Sequence, residues 1–208
     1  MKALLPQSDP WQADHEGMLP LHHAAQYSHD ALSVLLSSAL ISEGGQQRYC
    51  QEGGVAWVDV ADFEGRTPLM WAATTGNATC MRLLLDRGAD MGLSCKSGRM
   101  SLHMACLAGH SAAACMLLAA GALLGASVDK AGRTPLHLAA QKGHESLIHL
   151  LLQQQQDGPA EMLSQQDWYS GATPLHLAAE AGRSGAVAAL LQGGSNPAVP
   201  DKYVHMYG

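Results

Sequence analysis

The sequence is poor in charged and aromatic residues, which limits what its core and its surface can be made of. Charged residues make up 14% of the 208 residues, against about 25% in an average globular domain. Aromatic residues make up 5%, with a single phenylalanine, Phe63. A hydrophobic core must therefore consist mainly of Ala, Leu, Met and Val, and the 47% of hydrophobic residues is sufficient for one.

Three further absences exclude classes of function. The sequence has no apolar run of about 18 residues, so we expect no transmembrane helix and no membrane partner. The 12 Lys and Arg residues are outnumbered by 18 Asp and Glu, for a net charge of −6, whereas nucleic-acid binders are usually basic. The five cysteines include no C-x-x-C pair, which favours reduced thiols in a cytoplasmic or nuclear protein over disulfides or a zinc site.

The sequence does contain an internal repeat. The seven residues Thr-Pro-Leu-His-Leu-Ala-Ala occur twice, beginning at Thr134 and at Thr173. Looser copies begin at Leu19, Thr67 and Met100, so the steps between copies are 48, 33, 34 and 39 residues. A base period of about 33 residues, lengthened by two insertions, explains this spacing. A period of about 33 residues is typical of repeat proteins.

Each copy carries the signals of two short helices. A glycine two residues before the motif suits a turn with positive φ, and Thr-Pro fits a helix N-cap followed by the first helical position. A second turn follows, and then a segment that ends in Leu-Leu. Helices this short are not stable alone, so they must stack on the next copy and form a solenoid.

The unit resembles the ankyrin repeat, in which T-P-L-H-x-A, Gly-His and Leu-Leu follow one another in this order. The resemblance extends over roughly residues 14 to 201. It implies an all-α solenoid of stacked helix–turn–helix units joined by short β-hairpin loops. We call these loops fingers. It also implies that the motif histidines join the first helix to the adjoining turn.

The expected organisation is five repeats and two terminal segments. The repeats cover 14–61 with an inserted loop at 37–57, then 62–94, 95–128, 129–166 with an inserted loop at 153–166, and 167–200. We expect residues 1–13 to be the remnant of a preceding repeat or an improvised cap, and 201–208 to begin a truncated repeat. The pattern at both ends thus predicts that the chain is a fragment of a longer ankyrin protein. The alternative is that aromatic and apolar residues near the ends fold back and act as caps.

Repeat 3 departs most from the pattern. Met100-Ser101 replaces Thr-Pro, and Cys95 replaces the aspartate that opens the other fingers. The loss of a helix cap typically costs about 1 kcal/mol. We expect Ser101 to act as the cap instead, Cys95 to lie in an exposed finger, and repeat 3 to be the least stable part of the array.

No catalytic or metal-binding pattern stands out. Seven of the eleven histidines fall at recurring repeat positions, and the other four share no ligand spacing. There is no glycine-rich phosphate loop, G-x-S-x-G or H-E-x-x-H. We therefore expect a chain that is not an enzyme and that needs no cofactor or metal.

The expected function is protein–protein interaction, as a monomeric scaffold or adaptor. The resemblance implies binding through the finger tips and the exposed face of the first helices. Six basic residues map to these positions between aromatic residues, and the predicted site is Phe63, Arg66, Lys96, Arg99, Lys130, Arg133, Lys142, Trp168 and Tyr169. This stripe predicts an acidic partner segment and contains residue types common in interface hot spots.

Three alternatives remain open at this stage. Each arginine beside a turn could be a solvated residue with no binding role. The chain could be a regulatory or substrate-recruiting segment of a larger enzyme, channel or ubiquitin-ligase receptor. Catalysis by the chain itself is the third alternative, and no residue pattern supports it.

Overall fold

The computed structural model describes residues 12–37, 56–124, 127–154 and 160–202, and these form a stack of helix pairs. The described residues contain eleven α-helices: α1 Pro20–Tyr27, α2 His29–Ser37, α3 Pro68–Thr75, α4 Ala78–Asp86, α5 Ser101–Ala108, α6 Ser111–Ala119, α7 Pro135–Lys142, α8 Glu145–Gln153, α9 Ala160–Ser164, α10 Pro174–Glu180 and α11 Ser184–Gln192. A 3₁₀ turn, Trp57–Asp59, precedes the second finger. The same residues contain no β-strand, so the fingers are tight turns.

The helices form two parallel rows. In one row α1, α3, α5, α7 and α10 pack on one another in this order, and in the other α2, α4, α6, α8 and α11 do the same. The Ala-Ala pairs of the first row, such as Ala139 and Ala140, are fully buried, and their small side chains let neighbouring helices approach closely. Each pair therefore contacts mainly the pairs next to it, which confirms the predicted all-α solenoid.

Threonine caps begin three of the first helices. Thr67, Thr134 and Thr173 each accept a hydrogen bond through Oγ1 from the backbone N–H three residues later, at 3.4 Å. Ser101 does not take over this role in repeat 3, because it is the first residue of α5 and its buried hydroxyl finds no hydrogen-bond partner among the described residues. The expectation that Ser101 caps the helix was therefore wrong.

The motif histidines stabilise the same helix ends and also join neighbouring repeats. Nδ1 of His22 and of His103 accepts the backbone N–H of the residue at the cap position, at 2.9 and 3.3 Å. Because Nδ1 accepts a hydrogen bond, the proton of each neutral ring is on Nε2. Nε2 of His137 donates this proton to the carbonyl of Ala172 in the next repeat, at 3.2 Å. Burial lowers the pKa of all three imidazoles, that of His137 to about 4, so they are neutral at physiological pH.

The turn between the two helices of a repeat carries a second histidine contact. Gly109 ends α5 with φ of 82°, in the left-handed region that favours glycine. The ring of His144, from the next repeat, lies against this glycine and donates through Nε2 to the carbonyl of Leu107 at 3.2 Å. His110 makes the equivalent contact with Thr74 at 3.0 Å. Each turn histidine thus stabilises the stacking of one repeat on the preceding one.

The predicted insertions lie only partly within the described residues. Of the loop at 37–57, residues 38–55 lie outside them. Within 153–166, the short helix α9 places Met162 and Leu163 in the core. The second insertion, expected to be a surface loop, therefore contributes buried side chains. The repeat boundaries themselves stay a prediction.

Candidate interaction surface

An aspartate at the base holds the fingers of repeats 1, 2 and 4 in shape. Asp62 accepts the backbone N–H groups of Glu64 and Arg66 through one carboxylate oxygen, at 2.9 and 2.8 Å. Asp14 and Asp129 accept the N–H groups two and four residues later in the same way. These bonds satisfy finger N–H groups that no neighbouring strand would pair.

The arginine of repeat 2 is part of this finger framework. Nε of Arg66 donates to Asp62 Oδ2 at 2.8 Å, and the indole N–H of Trp71 donates to the same oxygen at 3.1 Å. The guanidinium lies 4.1 Å from the centre of the Trp71 ring, in cation–π distance. The side chain of Arg66 is 28% exposed, so only its edge is accessible to a partner.

Repeat 3 lacks this framework. Cys95 keeps the backbone turn, since its N–H donates to the Arg99 carbonyl at 2.9 Å. Its Sγ lies 3.0 Å from the Ser97 hydroxyl and cannot replace a carboxylate as acceptor for the finger N–H groups. Cys95 is only 7% exposed, so the prediction of an exposed finger thiol was wrong.

Arg99 pairs instead with the aspartate of the next repeat. Its Nε lies 3.4 Å from Asp129 Oδ2, and Nη2 of Arg133 lies 3.1 Å from the same oxygen. Burial of Asp129 raises its pKa, but hydrogen bonds from Arg133 and Ala131 and the Arg133 charge outweigh burial, so the pKa is lowered overall. One buried carboxylate therefore serves two guanidinium groups and joins repeats 3 and 4.

A row of exposed side chains runs along the finger tips, and we call it the tip row. It consists of the residue that follows the first residue of each finger from repeat 2 onwards, namely Phe63, Lys96, Lys130, Trp168 and Lys202. The backbone N–H of each donates to a carbonyl of the preceding finger, at 2.8 to 3.0 Å. One hydrogen bond per repeat thus fixes the register of the row.

The aromatic members of the row lie on glycines. A Cβ added at Gly17 would stand 2.5 Å from the Phe63 ring, and one added at Gly132 would stand 2.5 Å from the Trp168 ring. These rings remain 61% and 60% exposed, and the neighbouring Tyr169 is 75% exposed. The finger glycines therefore provide flat contacts that orient the two rings without burying them.

The structure places the nine predicted site residues in three groups. Phe63, Lys96, Lys130 and Trp168 belong to the tip row, with Tyr169 beside it. Arg66, Arg99 and Arg133 lie at the finger bases and are 28%, 23% and 24% exposed. Lys142 is exposed in the last turn of α7. Sequence reasoning missed Lys202, which aligning Asp201-Lys202 with Asp129-Lys130 reveals.

The described residues contain no metal-binding cluster and no membrane-spanning helix. Among them, no group of three His, Cys, Asp or Glu side chains is arranged to hold a metal ion. None of the helices found there has the length and apolar character that crossing a bilayer requires. What the array does provide is an extended surface, which is how solenoids bind partners.

Helix pairs stacked in two rows, with fingers in register, define a helical repeat solenoid. A family model described as ankyrin repeats in three copies matches residues 40–127 and 102–201. The chain belongs to the ankyrin-repeat family, and its repeats indicate a protein-interaction module. Such repeats are in general non-enzymatic.

Several curated proteins are similar over part of the chain. A probable palmitoyltransferase, AKR2, of Saccharomyces uvarum is 31% identical over 113 residues, which is 54% of this chain and 14% of that protein. Inversin of Danio rerio is 37% identical over 68 residues, 32% of this chain and 7% of its own length. Ankyrin repeat family A protein 2 of Mus musculus is 41% identical over 54 residues, which is 26% of this chain and 17% of that protein. The chain thus matches less than a fifth of each relative.

Proposed function

We propose that this chain is a non-enzymatic scaffold or adaptor that binds an acidic, extended segment of a partner protein along the tip row and the adjoining first helices. The observation that carries the proposal is a concentration of exposed cations and aromatic rings along one edge. The chain as a whole has a net charge of −6, so this edge differs in sign from the rest of the molecule.

The positive charge is concentrated in repeats 3 and 4. Two guanidinium groups share the Asp129 carboxylate there, so within the described part of the chain one positive charge is left without a counter-ion. Lys130 and Lys142 add exposed ammonium groups, and Lys96 lies 3.9 Å from Glu64 with both side chains about two-thirds exposed. A carboxylate-rich partner would be attracted to this region, chiefly through a faster association rate.

The aromatic rings and the arginines have different roles in this proposal. Phe63, Trp168 and Tyr169 are large exposed side chains at the two ends of the positive region, and such residues often dominate binding energies. The three arginines mainly maintain the finger shape, with their exposed edges adding to the positive potential. The lysines therefore supply the accessible charge, and the rings supply the apolar anchors.

We further propose that the chain works as a monomer in the cytoplasm or the nucleus. Four cysteines lie in the described residues, Cys80, Cys95, Cys106 and Cys115, and all are free thiols. Free thiols are usual in reducing compartments. Cys50 lies outside the described residues.

A charge-reversal pair tests the tip row. Peptides selected on the chain from a random phage library should be acidic, and Lys130→Glu should weaken the best of them about tenfold. Arg82→Glu, on the exposed side of α4, makes the same charge change elsewhere and should leave affinity unchanged. Binding should also weaken as salt rises past about 0.1 M. Equal losses in the two variants, or a consensus without acidic residues, would refute the proposed site.

A second candidate function is a recruiting or regulatory segment of a larger enzyme. The similarity to a protein named a probable palmitoyltransferase favours this second function. The aligned part makes up 14% of that protein. An antibody raised against this chain would decide the question in an extract of the source organism. A band well above 21.9 kDa supports a larger protein, and a single band at that mass rejects it.

A further inference from the structure

The contact that joins repeats 1 and 2 behind their fingers is missing between repeats 2 and 3. Asp59, three residues before the first finger residue Asp62, is buried and accepts the backbone N–H of Asp90 at 3.0 Å. The residue at the same position before Cys95 is Gly92. Gly92 has no side chain to reach the next repeat, and its φ lies outside the left-handed region, so the backbone does not require glycine there.

A cavity lies where that side chain would be. It has a volume of about 310 Å³ and opens between the loops that follow α4 and α6. Its larger side chains are Met91, Met100, Leu102 and Leu123, and Asp90 is the one charged residue of its lining. This volume is at the lower end of the range for small-ligand pockets, about 300–1,000 Å³. We call this cavity the inter-repeat pocket.

The lining of the pocket defines what it can accept. Leu123 follows the Leu-Leu of its second helix at the same distance as Asp90 follows that of the preceding repeat. The Leu123 side chain is 68% exposed. A large apolar side chain exposed beside a cavity gains contact area when a second apolar group enters. Asp90 has no cation among the lining residues, so its carboxylate favours a positively charged neighbour for that group.

We infer that the inter-repeat pocket binds a large apolar side chain of a partner peptide that carries Lys or Arg next to it. This ligand is opposite in charge to the acidic segment proposed for the tip row. The inference does not depend on the tip row, because the two surfaces share no residue. The chain would accordingly hold two different peptide segments, one at the finger tips and one behind repeats 2 and 3.

Gly92→Asn is the decisive variant. By analogy with Asp59, the new side chain enters the cavity and occupies part of it, and its amide oxygen accepts an N–H from the next repeat. The added Cβ would stand 3.2 Å from an Asp90 carboxylate oxygen, so Asp90 must move slightly. Because this change adds a contact and removes a flexible glycine, it should preserve or raise stability. Loss of binding would therefore not reflect unfolding.

The probe is a random-peptide phage library. Selection uses the full chain carrying Lys96→Glu and Lys130→Glu, which disables the proposed tip row, with counter-selection on the same chain carrying Gly92→Asn. The expected consensus is an apolar residue beside Lys or Arg. The best synthetic peptide should bind about tenfold more weakly to Gly92→Asn, and several-fold more weakly to Asp90→Asn, which keeps the acceptor for the Gly92 N–H but lacks the charge.

Methionine methyl groups report the position of the bound peptide. In ¹³C-methyl NMR spectra, the signals of Met91 and Met100 should shift with peptide, and those of Met70 and Met81, buried deep in the stack, should not. Failure to select any discriminating peptide, a consensus without a cation, or unmoved Met91 and Met100 signals would each overturn the inference. None of these results affects the tip-row proposal, because Lys96 and Lys130, which supply its charge in repeats 3 and 4, are already reversed in this background.

Discussion

Replacing Asp129 tests whether one carboxylate holds repeats 3 and 4 together. Asp129 accepts the backbone N–H groups of Ala131 and Arg133 at 2.9 and 3.0 Å, and it pairs with both Arg99 and Arg133. Two substitutions separate these contributions. Asp129→Asn keeps an oxygen for the N–H groups but removes the charge, whereas Asp129→Ala removes both.

The expected costs follow from burial. Asp129 is buried, while the two guanidinium groups are about a quarter exposed and can be rehydrated. Loss of the charge alone should therefore cost about 1 kcal/mol, near the value for exposed ion pairs. The two hydrogen bonds from the part-buried N–H groups contribute about 1 kcal/mol each, so their loss brings the total for Asp129→Ala to about 3 kcal/mol.

Urea unfolding followed by far-ultraviolet circular dichroism measures the difference in stability. Hydrogen exchange should locate it, with faster exchange in the fingers of repeats 3 and 4. Asp86→Asn, at the exposed end of α4, is the matched control and should change stability little. If Asp129→Ala costs no more than Asp86→Asn, the shared carboxylate does not stabilise the array and the reasoning is wrong.

Three further predictions use the same unfolding assay. Cys95→Asp should raise the free energy of unfolding by about 1 kcal/mol, because a carboxylate would accept the finger N–H groups and pair with the arginine of its own finger; Cys95→Ser should give less. The contribution of His137 is fully present above pH 6.5 and should fall by about 3 kcal/mol as the pH drops through about 4, since burial lowers the imidazole pKa from 6.5 to about 4. Gly109→Ala should cost more than Gly182→Ala, because both glycines have positive φ but only at Gly109 would the Cβ meet a ring, that of His144.

The fold could be predicted from the sequence because it depends on local signals that recur. Thr134 and Thr173 cap their helices as their position before proline predicts. The resemblance implies only that His137 joins its helix to the adjoining turn, and its contact with Ala172 of the next repeat comes from the structure. Ser101 failed as a cap because the helix begins at this residue, which places its hydroxyl inside the first turn.

The electrostatics of the candidate site could not be predicted in the same way. Arg66 and Arg133 pair with an aspartate four residues earlier in their own fingers, which is a local contact. The pairing of Arg99 with Asp129 spans 30 residues and depends on how closely two repeats stack. The exposure of each arginine follows from these pairs, so a stripe drawn from sequence positions cannot separate accessible charge from charge that maintains a finger.

Cys95 and Gly92 lie close together in the sequence, and they account for the two candidate binding features. Cys95 removes a finger carboxylate, and Arg99 then pairs across to Asp129, which leaves positive charge in excess at repeats 3 and 4. Gly92, unlike Asp59 at the same position one repeat earlier, has no side chain to contact the next repeat, and the inter-repeat pocket lies beside it. Cys95→Asp restores the finger aspartate, and Gly92→Asn supplies the kind of contact that Asp59 makes one repeat earlier. The two substitutions should therefore stabilise the array while weakening both binding sites.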